Sequence, residues 1–265
     1  MKKIILLMIF IMIGLFVFSE EIVLTTVELS DGTHNYYHEL LTKALEAKGH
    51  KLTLNIEKSL PQPRIVNYFE NEKLSIHWLI QTKERDTKYI PVEVDITNGL
   101  TGNRILFIGK NKQKDFDNVK TLEDFRNLNK IGGLGKNWFD VEVWKANNLK
   151  YFEKEGEWRD LYKMLKDGNM GIDYFSRGVQ EIVVESALHP YLDIEKNIVL
   201  IYNKDFRFYL SKSAKKYKKF LEESLVEAKK SGLIDKLIRK YFLDVFDKNK
   251  INLDGRIKIK LTTPN

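Results

Sequence analysis

From Ile22 onward, short apolar runs of strand spacing alternate with longer runs of helical spacing, and this alternation limits the fold more than any other feature. Residues 22–29 read as a buried strand. Tyr37, Leu40, Leu41, Ala44 and Leu45 recur at helical spacing, and Gly49 stops that helix. Leu52, Leu54 and Ile56 alternate as in a half-buried strand. Pro61 and Pro63 break the chain before a short helix that runs to Phe69, and residues 74–80 read as a third strand. Strand–helix–strand order of this kind predicts a mainly parallel sheet with helices on its faces.

A second set of the same type follows Arg104. Residues 105–108 and Ile131 read as strands, and Thr121 opens a helix between them as N-cap, with Asp124 in the capping-box position. Gly132, Gly133 and Gly135 are expected to form a tight turn into a helix at 141–147. Leu161, Met164 and Leu165 lie on another short helix ended by Gly168, and residues 172–175 and 198–202 read as strands. Phe206, Phe208 and Leu210 alternate, which predicts a strand leading back out. Phe220, Leu221, Leu225 and Ala228 then form a helical stripe, Gly232 ends it, and Leu233, Leu237, Ile238 and Tyr241 begin another. The tail after Asp247 is polar and is expected to wrap the surface.

The chain has 265 residues, 43% of them hydrophobic and 12% aromatic. That is globular chemistry, and the length suffices for one large domain or two small ones. It has no cysteine, which excludes disulfides, thiolate metal sites, iron–sulfur clusters, thiol nucleophiles and a lipidated N-terminal cysteine. At the N-terminus Lys2 and Lys3 precede an apolar stretch at 4–18 broken only by Gly14, and Val17 and Ser19 stand where a signal cleavage site wants small residues. A bilayer span takes about 20 apolar residues, so residues 1–19 read as a cleavable signal peptide and residues 20–265 as an exported protein of the Gram-negative periplasm. Removing the two lysines takes the formal charge from +7 to +5. The remaining lysines are dispersed, and the densest run, 215–219, sits at the start of an amphipathic helix, so nucleic acid is not an expected partner.

Specific chemistry motifs fail one by one. The glycines before Lys136 do not make a phosphate loop, since Lys130 stands where the first glycine belongs and Asn137 replaces the magnesium-binding Ser or Thr. His34 and His38 could share a helix face, but the zinc-protease Glu and a third ligand are missing. No nucleophile elbow is present. No cofactor is expected, and nothing in the sequence argues for catalysis.

Two passages together resemble the bacterial extracellular solute-binding proteins of family 3, the amino-acid receptors of ABC importers. Gln81-Thr82-Lys83-Glu84-Arg85, followed by Tyr89-Ile90-Pro91-Val92, is similar to the family's Thr-x-x-Arg turn and the extended stretch after it. Residues 221–242, LEESLVEAKKSGLIDKLIRKYF, resemble its terminal helix pair, and TLEDF at 121–125 resembles its helix start. The resemblance extends over nearly all of residues 20–265 and points to a divergent branch. It implies an α/β, two-lobed type 2 periplasmic-binding fold, each lobe a mainly parallel sheet flanked by helices, with the ligand cleft at the hinge. Lobe 1 would comprise 20–103 plus 212–265 and lobe 2 would comprise 104–211, with crossings near 103–104 and 206–210. The implied protein is a monomer that closes on a small ligand and meets an ABC permease or a sensory receptor.

The same resemblance assigns residues. Arg85 matches the arginine that grips the ligand carboxylate with two parallel hydrogen bonds. His77 and Trp78 fall where the family lines the first lobe, and Tyr36 or Tyr37 supplies an aromatic wall. Gly135, Lys136 and Asn137 match the second-lobe turn that offers backbone N–H groups to an anion, with Asp140 either a helix cap or a contact. The family's ammonium-binding Asp is missing: its place falls on Ser176 or Gly178, beside Arg177. If Arg177 points into the cleft, each lobe contributes an arginine, Arg64 could add a third, and an anionic ligand fits better than a zwitterion. Two other readings remain open, a small-acid dehydratase on the same fold, with Glu84, Asp140 and Asp173 as candidate acids, and an exported scaffold whose cleft is filled by its own Trp78 or Trp138.

Overall fold

The structure is a computed structural model that describes residues 21–28, 32, 34–58, 60, 62–168 and 171–264. The proposed signal peptide lies outside these residues. The first part runs β1 (Glu21–Glu28), α1 (Asn35–Ala47), β2 (Lys51–Lys58), α2 (Gln62–Glu70), β3 (Ile76–Ile80), α3 (Lys83–Lys88) and β4 (Ile90–Pro91). The middle runs β5 (Asn103–Gly109), α4 (Leu122–Asn127), β6 (Gly132–Gly135), α5 (Phe139–Ala146), β7 (Tyr151–Lys154) and α6 (Asp160–Asp167). It continues with β8 (Tyr174–Gly178), α7 (Val179–Leu188), β9 (Leu192–Ile194) and β10 (Ile198–Ile201). Then come β11 (Phe206–Leu210), α8 (Lys218–Lys230), α9 (Leu233–Tyr241), α10 (Leu243–Phe246) and β12 (Ile257–Lys260).

In the first part β1 and β2 pair in parallel, with Ile22 opposite Leu52. The returning strand β11 lies antiparallel between β3 and β4, with Phe208 opposite Trp78. Ser75 links the two groups, since its N–H donates to the Thr25 carbonyl and its Oγ accepts from the Thr25 N–H. Helices α8 and α9 pack on α1, and Gly232 turns the chain between them at φ 76°, as the spacing predicts.

The middle part forms one sheet in the order β12-β10-β5-β8-β6-β7, with β9 also on β5. Strands β6, β7 and β8 are parallel, and β5 enters antiparallel to β8. Alternation along β5 and β8 sends Ile105, Phe107 and Phe175 to one buried face and Leu106, Ile108 and Tyr174 to the other. The first of these faces joins a single apolar cluster that also contains Ile22, Leu40, Trp78, Leu225 and Val245, so one core runs through both sheet groups.

Two sequence expectations change. The glycine triplet is a strand, β6, rather than a turn, because its neighbours leave no room for side chains. A Cβ on Gly132 would lie 2.7 Å from the Tyr174 ring, and one on Gly133 would lie 2.9 Å from Leu161. The C-terminal tail does more than wrap the surface: β12 pairs in parallel with β10 at the edge of the second sheet and buries Ile259. The alternation Ile257-Lys258-Ile259-Lys260-Leu261 explains this, since it offers one apolar face to a sheet edge.

Candidate functional site

Parallel α/β sheets bind ligands beyond the carboxyl ends of their strands, so the residues following β3, β6, β7 and β8 come first. After β3, Thr82 caps α3: its Oγ1 accepts from the Arg85 N–H at 3.2 Å. The cap turns the Arg85 side chain back toward the sheet, where Nη1 donates to the Ile80 carbonyl at 2.6 Å. Arg85 is half-buried, and burial lowers its pKa from the ordinary arginine value. No carboxylate lies within 4.0 Å of its guanidinium among the described residues.

His77 and Trp78 sit one strand turn earlier, both buried. Trp78 stacks on Tyr37 at 4.2 Å and meets the edges of His34 and His38. His34 Nδ1 and His38 Nε2 each donate to the Val27 carbonyl at 3.0 Å, which accounts for the pair without a metal. Among the described residues no group of three or more metal-ligating side chains comes together. His77 is different. Its Nδ1 is buried with no hydrogen-bond partner among the described residues, and burial, aided by His34 and Arg85, pushes its pKa down to about 3. Of the two tyrosines, Tyr36 packs inward with its hydroxyl on the Ile96 carbonyl, and Tyr37 is the one against Trp78.

On the second sheet, alternation separates Ser176 from Arg177. Ser176 faces the Tyr174 side, fully buried, with no partner for its Oγ among the described residues. Arg177 faces the Phe175 side, 5% exposed, and its fork is taken: Nε donates to Glu185 Oε2 at 2.8 Å and Nη2 to Glu185 Oε1 at 2.5 Å, with Glu181 at 3.3 Å. Burial opposes its charge, but the two carboxylates outweigh this and hold its pKa well above the ordinary value. The expectation of one free arginine from each lobe therefore loses its basis on the second side. Among the described residues no hydrogen bond, ion pair or ring contact joins Arg177 to Arg85. Asn137 is exposed in the left-handed region at φ 65°, and its N–H points at Glu153 Oε1, 3.4 Å away, so an acid already occupies the expected anion position. Arg64 is exposed on α2. Asp140 lies in the first turn of α5, behind the N-cap position at Trp138, and pairs with the buried Arg104 at 2.8 Å, so its carboxylate is held by the protein's own guanidinium rather than serving as the cap.

The sequence reading missed the residues that join the crossings. Asp205, between β10 and β11, accepts from the N–H groups of Thr97, Gly99 and Phe206 and from the Thr97 hydroxyl, so it pins one crossing to the other. Burial raises its pKa. A polar cavity of about 580 Å³ opens here, lined among others by Gln81, Asp95, Lys204, Asp205 and Arg207. None of the sequence-predicted site residues lines it. Asp205-Phe206-Arg207 is a charge-flanked strand start, which carries no motif to single it out.

Neither a protein-family model nor a curated protein sequence matches this chain. Solved structures do. The probable amino-acid ABC transporter extracellular-binding protein ytmK from Bacillus subtilis is 14% identical, covers 85% of this chain and 99% of its own, and superposes with a TM-score of 0.62. A putative binding component of an ABC transporter from Wolinella succinogenes, complexed with lysine, is 17% identical over 87% and 99%, with a TM-score of 0.58. The amino acid ABC transporter substrate-binding protein AbpA from Streptococcus pneumoniae, bound to L-arginine, is 18% identical over 86% and 97%, with a TM-score of 0.54. With its two sheet groups, its double crossing and these neighbours, the chain has the two-lobed α/β fold of the amino-acid-binding proteins of ABC transporters.

Proposed function

We propose that this chain is an exported solute-binding protein, with no catalytic role, that closes on a small carboxylate-bearing, amino-acid-like solute and delivers it to an ABC permease as a monomer. The observation that carries the proposal is Arg85. It is a half-buried guanidinium at the carboxyl end of a strand, held by one backbone carbonyl and unpaired with any acid among the described residues. Such a group is poised for a bidentate carboxylate. Lobe 1 would be built on β1–β4, β11 and α8–α9, lobe 2 on β5–β10 with β12, and closure would shift a hinge equilibrium because the ligand meets both lobes only when closed. The solved neighbours from Wolinella succinogenes, complexed with lysine, and Streptococcus pneumoniae, bound to L-arginine, support the amino-acid class. Arg177 is neutralised by Glu181 and Glu185, so a purely anionic ligand draws its support from Arg85 alone.

One observation favours the scaffold reading: Trp78 and Trp138, the side chains that would fill a cleft, are both packed against neighbouring rings. A thermal-shift titration of residues 20–265 against amino acids, dicarboxylates and sugar phosphates separates the two, after unfolding and refolding to strip co-purified ligand. A ligand at a hundred times its Kd stabilises by about 2.7 kcal/mol, or roughly 5–10 °C at this size. A shift with carboxylate-bearing solutes that disappears in Arg85→Ala supports the receptor. A shift untouched by Arg85→Ala removes Arg85 from the site, and no shift with any class leaves the scaffold.

A further inference from the structure

The surroundings of Arg177 form a complete guanidinium site. Its Cζ lies 4.5 Å from the Trp158 ring centroid, 5.1 Å from that of Trp138 and 5.4 Å from that of Phe175. Glu185 takes the fork through two parallel hydrogen bonds and Glu181 stands beside it. Aromatic faces around a cation and a carboxylate matched to the fork are the two elements by which proteins recognise guanidinium compounds.

The placement also matches that of a ligand site. Trp138 follows β6, Trp158 follows β7 and Arg177 stands one residue before the end of β8, so the box lies at the carboxyl edge of the three parallel strands. Gly135 lets the Trp138 indole lie flat over the strand end, since a Cβ there would fall 2.5 Å from the ring. Trp138 and Trp158 meet at 5.4 Å, and Trp138 stacks on Phe175 at 6.1 Å with the rings 23° apart.

We propose that this box is a binding site for guanidinium compounds whose resident occupant is the chain's own Arg177. The side chain acts as a tethered ligand: it satisfies both acids, fills the aromatic cage and keeps free cations out of the second sheet's ligand edge. Vacated, the box binds small guanidinium ions and discriminates against ammonium ions of similar size, because an ammonium cannot reproduce the fork. This holds whether or not the chain binds a solute elsewhere, since it concerns the box alone.

The test is chemical rescue. Arg177→Ala leaves Glu185 without its cation and Glu181 with only Arg104, 4.0 Å away, and its melting point is expected to fall by about 10 °C, the scale for breaking a buried pair in a chain of this size. Methylguanidinium chloride at millimolar concentration is expected to restore at least half of that loss with a saturating dose dependence. Methylammonium chloride at equal ionic strength is expected to restore little, and the wild type is expected to respond to neither. In Arg177→Ala with Glu185→Gln the rescue by methylguanidinium should vanish. If Arg177→Ala does not fold alone, its refolding yield is read instead, with each salt present during refolding. Equal effects of the two salts, or no effect of either on melting or yield, overturn the proposal.

Discussion

Inside β3, His77 is held neutral. Burial drives its pKa from 6.5 to about 3, and His34 and Arg85 add to the effect. Because the folded value is depressed, the unfolded chain binds the extra proton below pH 6.5, so the stabilisation present above that pH is lost as the pH falls toward 3. At pH 5 the linkage amounts to about 2 kcal/mol. Urea unfolding at pH 7 and pH 5 should therefore show wild type losing roughly that much more than His77→Phe, and equal losses would mean that His77 is not held neutral. At Asp140 the expectation is larger. Asp140→Ala leaves the buried Arg104 with only the Glu181 carboxylate, 4.0 Å away, and removing one member of a buried pair costs about 3–5 kcal/mol, readable in the same unfolding experiment. Residues of this kind were only half legible in the sequence. Arg85 is legible through the resemblance of Gln81-Thr82-Lys83-Glu84-Arg85 to the family's Thr-x-x-Arg turn, and the Thr82 cap on the Arg85 N–H is what the structure adds. The pairing of Arg177 was also written there, in Glu181 and Glu185, four apart on one face of α7, but which face of β8 would meet that helix is decided only by packing.

At the scale of elements, β6 is the instructive case. Three glycines in four residues look like a turn by composition, yet Gly132–Gly135 pairs with both β7 and β8. Glycine is there because the Tyr174 ring lies against one face and Leu161 and Ile172 against the other. None of the three has a positive φ, so packing and not backbone conformation demands them. Gly132→Ala and Gly133→Ala are expected to cost about 1–3 kcal/mol each by overpacking. By contrast the strand–helix order and the Thr121–Asp124 capping box follow directly from spacing and appear as expected. The terminal helices do so too, because their burial repeats every three to four residues. Periodicity reports which face an element buries. It is silent on what that face meets, and a strand made of glycine has no periodicity to read.

For the whole molecule, the C-terminal segment changes how the parts are tied. After α8 and α9 have packed on α1, α10 lies against α7 and β12 joins β10, so the last twenty-odd residues return the chain to the second sheet as a third link beside the two crossings. Arg256 anchors this link: it is buried, and its guanidinium donates to the carbonyls of Ile251, Glu195 and Ile198. Beyond β12, Thr262 exchanges hydrogen bonds with Asn147, and Thr263 accepts from the Asn203 N–H. Ile259, 3% exposed, joins the core on the Tyr174 side of the second sheet. Two variants separate its contributions. Ile259→Ala keeps the link but opens a cavity, and is expected to cost about 2–5 kcal/mol. A chain ending at Arg256 loses the edge strand altogether, leaving β10 unpaired on one side and the second core uncovered. It should melt lower than Ile259→Ala, and if the third link restrains the lobes, its radius of gyration in solution scattering should exceed that of wild type while Ile259→Ala stays unchanged. Equal radii for all three would show that the two crossings pinned by Asp205 set the angle between the lobes on their own.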